Sequence, residues 1–200
     1  MEPMRSNLSL VACCVAAGAM VSAAETLTRK LGDAFEQKIV LVQRQSETPS
    51  KTTRSTPFTQ DELNSYLKFK ATGLLPTGLT EPFMTLIGNG KVTGTAVVDL
   101  DIVRQKQGSG SWFDPTSYLT GKLPVLATGT IVTGDGKGRF EFERVEVSGV
   151  PVPKALLAQM VNYFTRTADH PRGTGIDDTY DLPAEIKRID VGAGRFTVIQ

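Results

Sequence analysis

The chain has 200 residues, of which 22 are Lys or Arg and 21 are Asp or Glu, leaving a formal net charge of +1. Balanced charge without a long single-sign block excludes the basic patch of a dedicated nucleic-acid binder, so no nucleic-acid partner is expected. Two cysteines and one histidine leave too few soft ligands for an ordinary zinc site, and neither a metal nor a cofactor is expected.

Arg5 is the only basic residue ahead of an apolar run at residues 8–21 (LSLVACCVAAGAMV), which small residues close at Val21-Ser22-Ala23-Ala24. A positive n-region, an apolar h-region and a small-residue cleavage site describe a secretory signal peptide over residues 1–23. A membrane span would need roughly 20 apolar residues. The expected mature chain is therefore exported, periplasmic or associated with the envelope, and forms one domain over residues 24–200. Leu10-Val11-Ala12-Cys13 also looks like a lipobox, but the apolar stretch before Cys13 is short for an h-region, so ordinary cleavage is preferred.

Leu27, Leu31, Ala34, Phe35, Ile39 and Val42 recur at spacings of three and four and predict an amphipathic helix over 26–42. Residues 43–57 (QRQSETPSKTTRSTP) lose almost all apolar content and predict a mobile polar segment. Residues 58–71 predict a second helix with strong local signals. Thr59 and Glu62 are spaced for a capping box, and Phe58 and Leu63 for a hydrophobic staple.

From Phe83 the period falls to two. Gly94, Ala96, Val98, Leu100 and Ile102 alternate with Thr95, Val97, Asp99 and Asp101, predicting a strand with one wet face. Strands over 123–133 and 139–148 flank a turn at 134–138 and predict a hairpin. Within the second of these strands Phe140 and Phe142 share one parity and Val145 and Val147 the other. Either a bulge near Arg144 or a strand apolar on both sides at different points would reconcile them. A helix over 154–164 follows two prolines, and residues 186–199 predict a closing strand pair about a Gly-Ala-Gly turn. The order is helix, helix, strands, helix, strands. This is an α+β pattern: a long twisted antiparallel sheet packed around or against two to three helices.

Catalytic chemistry is sparse. His170, between Asp169 and Pro171, reads as an exposed loop residue with no orienting partner in sequence. Asp99 and Asp101 would share one side of the predicted strand, where paired carboxylates suit a metal or acid/base work. A half-buried sheet needs such residues on its solvated face in any case, and that reading is preferred. Asp177-Asp178 lacks the ladder of oxygen donors that a calcium loop carries. Gly134, Gly136 and Gly138 lie between two predicted strands, which suits a hairpin turn and not a dinucleotide fingerprint. No catalytic residue is assigned, and an enzyme, were it one, would be built on Asp99 and Asp101. Trp112 and Phe113, after the flexible Gly108-Ser109-Gly110-Ser111, are candidates for contact with a membrane surface or for closing over a ligand.

The stretch Phe58-Thr59-Gln60-Asp61-Glu62-Leu63-Asn64-Ser65-Tyr66-Leu67 resembles a phrase found in exported bacterial proteins. The closing Leu182-Pro183, Ile186, Ile189-Asp190-Val191 and Gly194-Arg195-Phe196-Thr197-Val198 are similar to the last strands of bacterial envelope members of the tubular lipid-binding superfamily. The resemblance implies a strongly twisted sheet wrapped around a helix, with an apolar groove between them for acyl or isoprenoid chains. The periodicities nominate Leu63, Leu67, Phe140, Phe142, Leu156, Met160 and Phe164 as groove lining, residues that would suit an ordinary core equally well. The expected function is binding of a lipid or other apolar small molecule. The alternative is a non-catalytic envelope scaffold that binds protein partners.

Overall fold

The structure is a computed structural model and describes residues 26–48, 50, 52–107, 121–164 and 171–200. The signal segment with Cys13, the Trp112–Phe113 pair, His170 and the side chains of Met160 and Phe164 lie outside what it describes. In chain order the described elements are α1 (Arg29–Ser46), β1 (Ser55–Thr59), α2 (Gln60–Phe69), a 3-10 turn (Ala71–Gly73), β2 (Leu79–Gly88), β3 (Lys91–Asp99), α3 (Leu100–Gln107), β4 (Lys122–Gly134), β5 (Lys137–Val147), β6 (Val150–Pro151), α4 (Lys154–Phe164), β7 (Tyr180–Asp181), β8 (Arg188–Gly192) and β9 (Arg195–Ile199). The α+β class with antiparallel pairing holds. The strands form two sheets, a six-stranded one along β2-β3-β4-β5-β6 with β7 beside β5, and a three-stranded one ordered β1-β9-β8.

The first helix runs one turn beyond the expected end, through Ser46. Gly32 lets it cross α2 closely, since a Cβ there would come within 3.2 Å of the Ser65 carbonyl oxygen. Of the described residues of the polar segment, only 47, 48, 50 and 52–54 fall outside regular elements. Arg54 reaches back to the end of α1, its Nη1 donating to the Gln45 carbonyl at 2.6 Å and to that of Thr48 at 3.1 Å.

Phe58 belongs to a strand and not merely to a staple. It pairs across β1 and β9 with Phe196, the rings stacked 4.7 Å apart, and is fully buried. Directly after it the capping box closes as its spacing predicts: Glu62 N donates to Thr59 Oγ1 at 3.2 Å, and Thr59 N donates to Glu62 Oε2 at 2.9 Å. The same carboxylate meets Lys38 Nζ of α1 at 2.7 Å.

The edge of β2 is covered in an unusual way. Asn64, only 1% exposed, holds Met84 like a neighbouring strand: its Nδ2 donates to the Met84 carbonyl at 2.8 Å, and its Oδ1 accepts from Met84 N at 2.7 Å. One helical turn earlier, Gln60 Oε1 accepts from Leu86 N at 2.7 Å. Four helical residues rise about 6 Å and two strand residues about 6.8 Å, so side chains at i and i+4 on α2 match alternate residues of β2.

Two hairpin turns fasten the small sheet to the large one. Asn89-Gly90 joins β2 to β3 and Asp135-Gly136 joins β4 to β5, all four residues at positive φ as a type I′ turn requires. Gly90 N donates to the Val191 carbonyl at 3.1 Å and Gly136 N to the Lys187 carbonyl at 2.9 Å, while Thr133 Oγ1 accepts from Ile189 N at 2.9 Å. One core cluster forms around Phe35, Val42, Phe58, Ile186 and Val198, and another around Leu86, Val92 and Val191.

Two further expectations are corrected. The turn expected at 134–138 contracts to Asp135-Gly136, because an Asp-Gly pair suffices for a two-residue connection. The strand expected to continue through Ile102 ends at Asp99, where α3 begins.

Replacing Asn64 with Leu leaves the Met84 amide and carbonyl without partners in a buried setting. Each orphaned group costs about 1–3 kcal/mol, so urea denaturation should show a loss of roughly 2–5 kcal/mol. A variant as stable as the wild type would refute the role given to this amide.

Candidate functional site: an apolar sheet face that outruns its core

Strand register places a continuous apolar surface on the side of the large sheet that meets α2. Directly paired residues share a face, so the surface reads as rows across the strands. The first holds Ile131 and Phe140, the second Leu86, Val92, Gly129 and Phe142, and the third Met84, Gly94, Ala127 and Val145. The fourth holds Ala96, Val125 and Val147, and the last Leu79, Val98 and Leu123. No side chain in these rows carries a polar atom other than the Met84 sulfur. The bulge that keeps Phe140, Phe142, Val145 and Val147 on one side sits at Glu143, between the pairs Thr128–Arg144 and Gly129–Phe142. The bulge reading of β5 therefore holds, one residue from its expected place.

Glycine and alanine form the floor where larger groups lie over it. A Cβ on Gly129 would run into the Phe140 ring, and one on Gly94 would lie 3.0 Å from Met84 Sδ. Leu63, Ile189 and Phe196 pack with Phe140, Ile131 and Met84 against Leu86, Val92 and Val191, sealing the near rows. Beyond them Ala96, Val98, Leu123, Val125, Ala127, Val145 and Val147 are half-buried and belong to neither core cluster. Among the described residues, α2 packs on β2 and α1 on α2 and β1, while α3 touches β4.

The last row opens into a cleft of about 510 Å³ between the end of α2 and the edge of β2. Leu27, Leu67, Leu75, Leu79, Pro82 and Phe83 supply its apolar walls, and Lys68, Thr72, Thr80 and Glu81 its polar positions. Leu79 is common to the cleft and to the last row. The β2 backbone is irregular here: Glu81 has φ 52° and the register shifts between Thr80 and Phe83.

The opposite face of the sheet carries charged and hydroxyl side chains, interspersed with Val97, Leu126 and Val132. Lys91 meets Glu143 at 2.5 Å, Arg139 meets Glu141 at 2.6 Å, and the Thr93 and Thr128 hydroxyls lie 3.0 Å apart. The Lys91 ammonium holds the Glu143 carboxyl below its ordinary pKa, outweighing the opposing effect of desolvation, with a smaller contribution from the Thr130 hydroxyl. A depressed carboxyl pKa stabilises the fold above its unfolded value, and that contribution fades as pH falls through the folded one. NMR titration of Lys91→Met should show Glu143 protonating at higher pH than in the wild type; an unchanged titration would assign the depression elsewhere.

The nominated groove residues divide. Leu63 and Phe140 meet at the Leu86–Val92–Val191 cluster, and Phe142 lies edge-on to Phe140 at 4.5 Å. Leu67 is apart from them, in the cleft. Leu156 is 49% exposed, whereas its neighbour Leu157 is buried. The unsealed rows and the cleft residues Leu27, Leu75 and Phe83 were missed, although the odd-numbered parity of Leu123, Val125 and Ala127 along β4 carried the signal.

The carboxylate pair is corrected too. Asp99 is the cap of α3, its Oδ1 accepting from Asp101 N at 3.1 Å and from Ile102 N at 3.2 Å, so the two aspartates do not project side by side from one strand. Among the described residues no cluster of three or more His, Cys, Asp or Glu is spaced to hold a metal ion, and no helix is long and apolar enough to cross a membrane. No protein-family model matches the chain, and no curated protein is significantly similar to it.

Asp99→Ala should cost about 0.5–2 kcal/mol through the lost cap, whereas Asp99→Asn, which keeps an accepting oxygen, should melt close to the wild type. Equal losses for the two variants would mean that the charge, not the cap, is what matters.

Proposed function

We propose that the protein binds a lipid or another elongated apolar molecule on the unsealed rows of the large sheet. The observation that carries this reading is the absence of polar side chains across the rows from Met84–Val145 to Leu79–Leu123, although the core clusters reach only the near part of that face. An antiparallel sheet with one face in water ordinarily alternates apolar and polar residues. Here every charged or hydroxyl side chain of β3, β4 and β5 falls on the other side, except Thr133, which meets Ile189. Binding sites for apolar ligands combine such walls with a few polar groups at the mouth, and the cleft at Leu79 has that composition. The suggested resemblance to envelope lipid-binding proteins, and export to the periplasm or envelope, agree with this reading.

A protein-binding scaffold is the second reading. It is favoured by the exposed Ile39, Val40 and Leu41 on α1, which no other described element covers well.

Native mass spectrometry of the protein purified without detergent should reveal a lipid in near-stoichiometric amount. Ala96→Phe or Ala127→Phe fills the floor of the site without adding charge and should weaken retention at least about tenfold, or ~1.4 kcal/mol, with far-UV circular dichroism unchanged. A clean apo mass that persists after incubation with total envelope lipid would overturn the proposal.

A further inference from the structure

The end of the molecule that carries the cleft mouth combines exposed apolar groups with unpaired cations. Leu74 follows the Ala71–Gly73 turn, held there by a hydrogen bond from its N–H to the Ala71 carbonyl at 2.8 Å, and its side chain is 75% exposed. Leu75 and Leu27 line the cleft behind it, and the ring of Phe83, also exposed, lies on the opposite wall. The half-buried Phe69 ring is flanked by two cations, the Arg29 guanidinium at 5.3 Å and the Lys68 ammonium at 5.4 Å from its centroid. Lys30 adjoins Arg29 in the first turn of α1.

The placement of two of these cations works against local stability. A helix N-terminus carries partial positive charge and favours acidic residues, yet the first turn of α1 holds Arg29 and Lys30 and no acidic residue. Lys70, close by, is neutralised by Asp33 at 2.6 Å and Glu36 at 3.1 Å. Among the described residues Arg29, Lys30 and Lys68 have no carboxylate within 4.0 Å. Cations at an unfavourable helix end without a carboxylate partner leave positive charge available to an external anion.

We propose that this end docks on an anionic lipid bilayer, with Leu74 entering the interface and Arg29, Lys30 and Lys68 facing the headgroups. Exposed apolar groups with basic residues beside them are what an anionic membrane surface recognises, as in interfacial helices. Among the described residues Glu81 is the one acidic side chain lining the cleft. Each basic side chain near such a surface strengthens binding by about fivefold. The docked orientation turns the cleft mouth toward the bilayer, from which an apolar ligand would enter. Docking does not rest on the ligand reading, since the surface stands whether or not the sheet face is occupied.

The test is flotation of the full chain with vesicles of phosphatidylglycerol and phosphatidylcholine, compared with phosphatidylcholine alone. Binding should favour the anionic vesicles and weaken as salt rises. Arg29→Gln with Lys68→Gln should lower partitioning by about 25-fold, and Leu74→Ser by several-fold, both with far-UV circular dichroism unchanged. Because both variants leave residues 1–25 intact, any contribution of that segment is common to all samples. Wild-type-like binding by both variants, equal binding to the two vesicle types, or no binding at all would overturn the proposal. So would a concentration-dependent dimer in vesicle-free solution that Leu74→Ser abolishes, since the surface would then be a contact between two copies. The lipid retained in native mass spectra should be the same for Leu74→Ser as for the wild type, which separates failure of docking from failure of ligand binding.

Discussion

An edge strand normally ends a sheet with a line of unsatisfied amides and carbonyls, and the arrangement of this protein follows from how one such edge is closed. On β2 the backbone of Met84 is completed by the Asn64 amide and the Leu86 N–H by Gln60, both from α2. The capping box at Thr59 and Glu62 sets where α2 starts, and the Glu62–Lys38 pair sets where α1 lies along it. Once α2 is fixed against β2, its Leu63 reaches the Leu86–Val92–Val191 cluster, and α1 delivers Phe35 and Val42 to the other core. A buried amide that pairs with both backbone groups of one residue also discourages strand addition at that edge.

The price of this design is coverage. The small sheet is stitched across the hairpin turns at Asn89-Gly90 and Asp135-Gly136, so its apolar residues reach only the rows nearest those turns. The remaining rows extend past α2 and past the small sheet. The same register that makes the near half a core makes the far half a surface of like composition, and the proposed ligand site is where the one runs on into the other.

Local signals were legible in the sequence and distant ones were not. The α2 cap could be read because Thr59 and Glu62 are three residues apart and act on each other, and α4 was bounded correctly by the apolar spacing that follows its prolines. The bulge in β5 was visible as a change of parity. Asn64 was not singled out, since its partner lies twenty residues away and nothing local marks it. Phe58 looked like a staple, because a strand of five residues containing a proline is recognisable only beside β9. Asp99 was misread because Leu100 and Ile102 happen to continue the alternation of β3, which hid the cap. The Asn-Gly turn before β3 was also overlooked, although that dipeptide is a strong hairpin signal.

The small sheet carries one more consequence. Its edge strand β1 pairs with β9, so that Ser55 lies opposite Ile199 across most of the chain. The large sheet is built from successive hairpins and can assemble as the polypeptide emerges, but the small one must wait for the last strand. Contacts so distant in sequence slow folding, and domains form progressively during synthesis. Until β9 arrives, Phe58 lacks the ring on which it stacks, and the near rows lack Val191 and Phe196. The nascent chain therefore passes through a stage in which more of the apolar face is open than in the finished fold, with only α2 to cover it, and at that stage a holding chaperone would find its largest target.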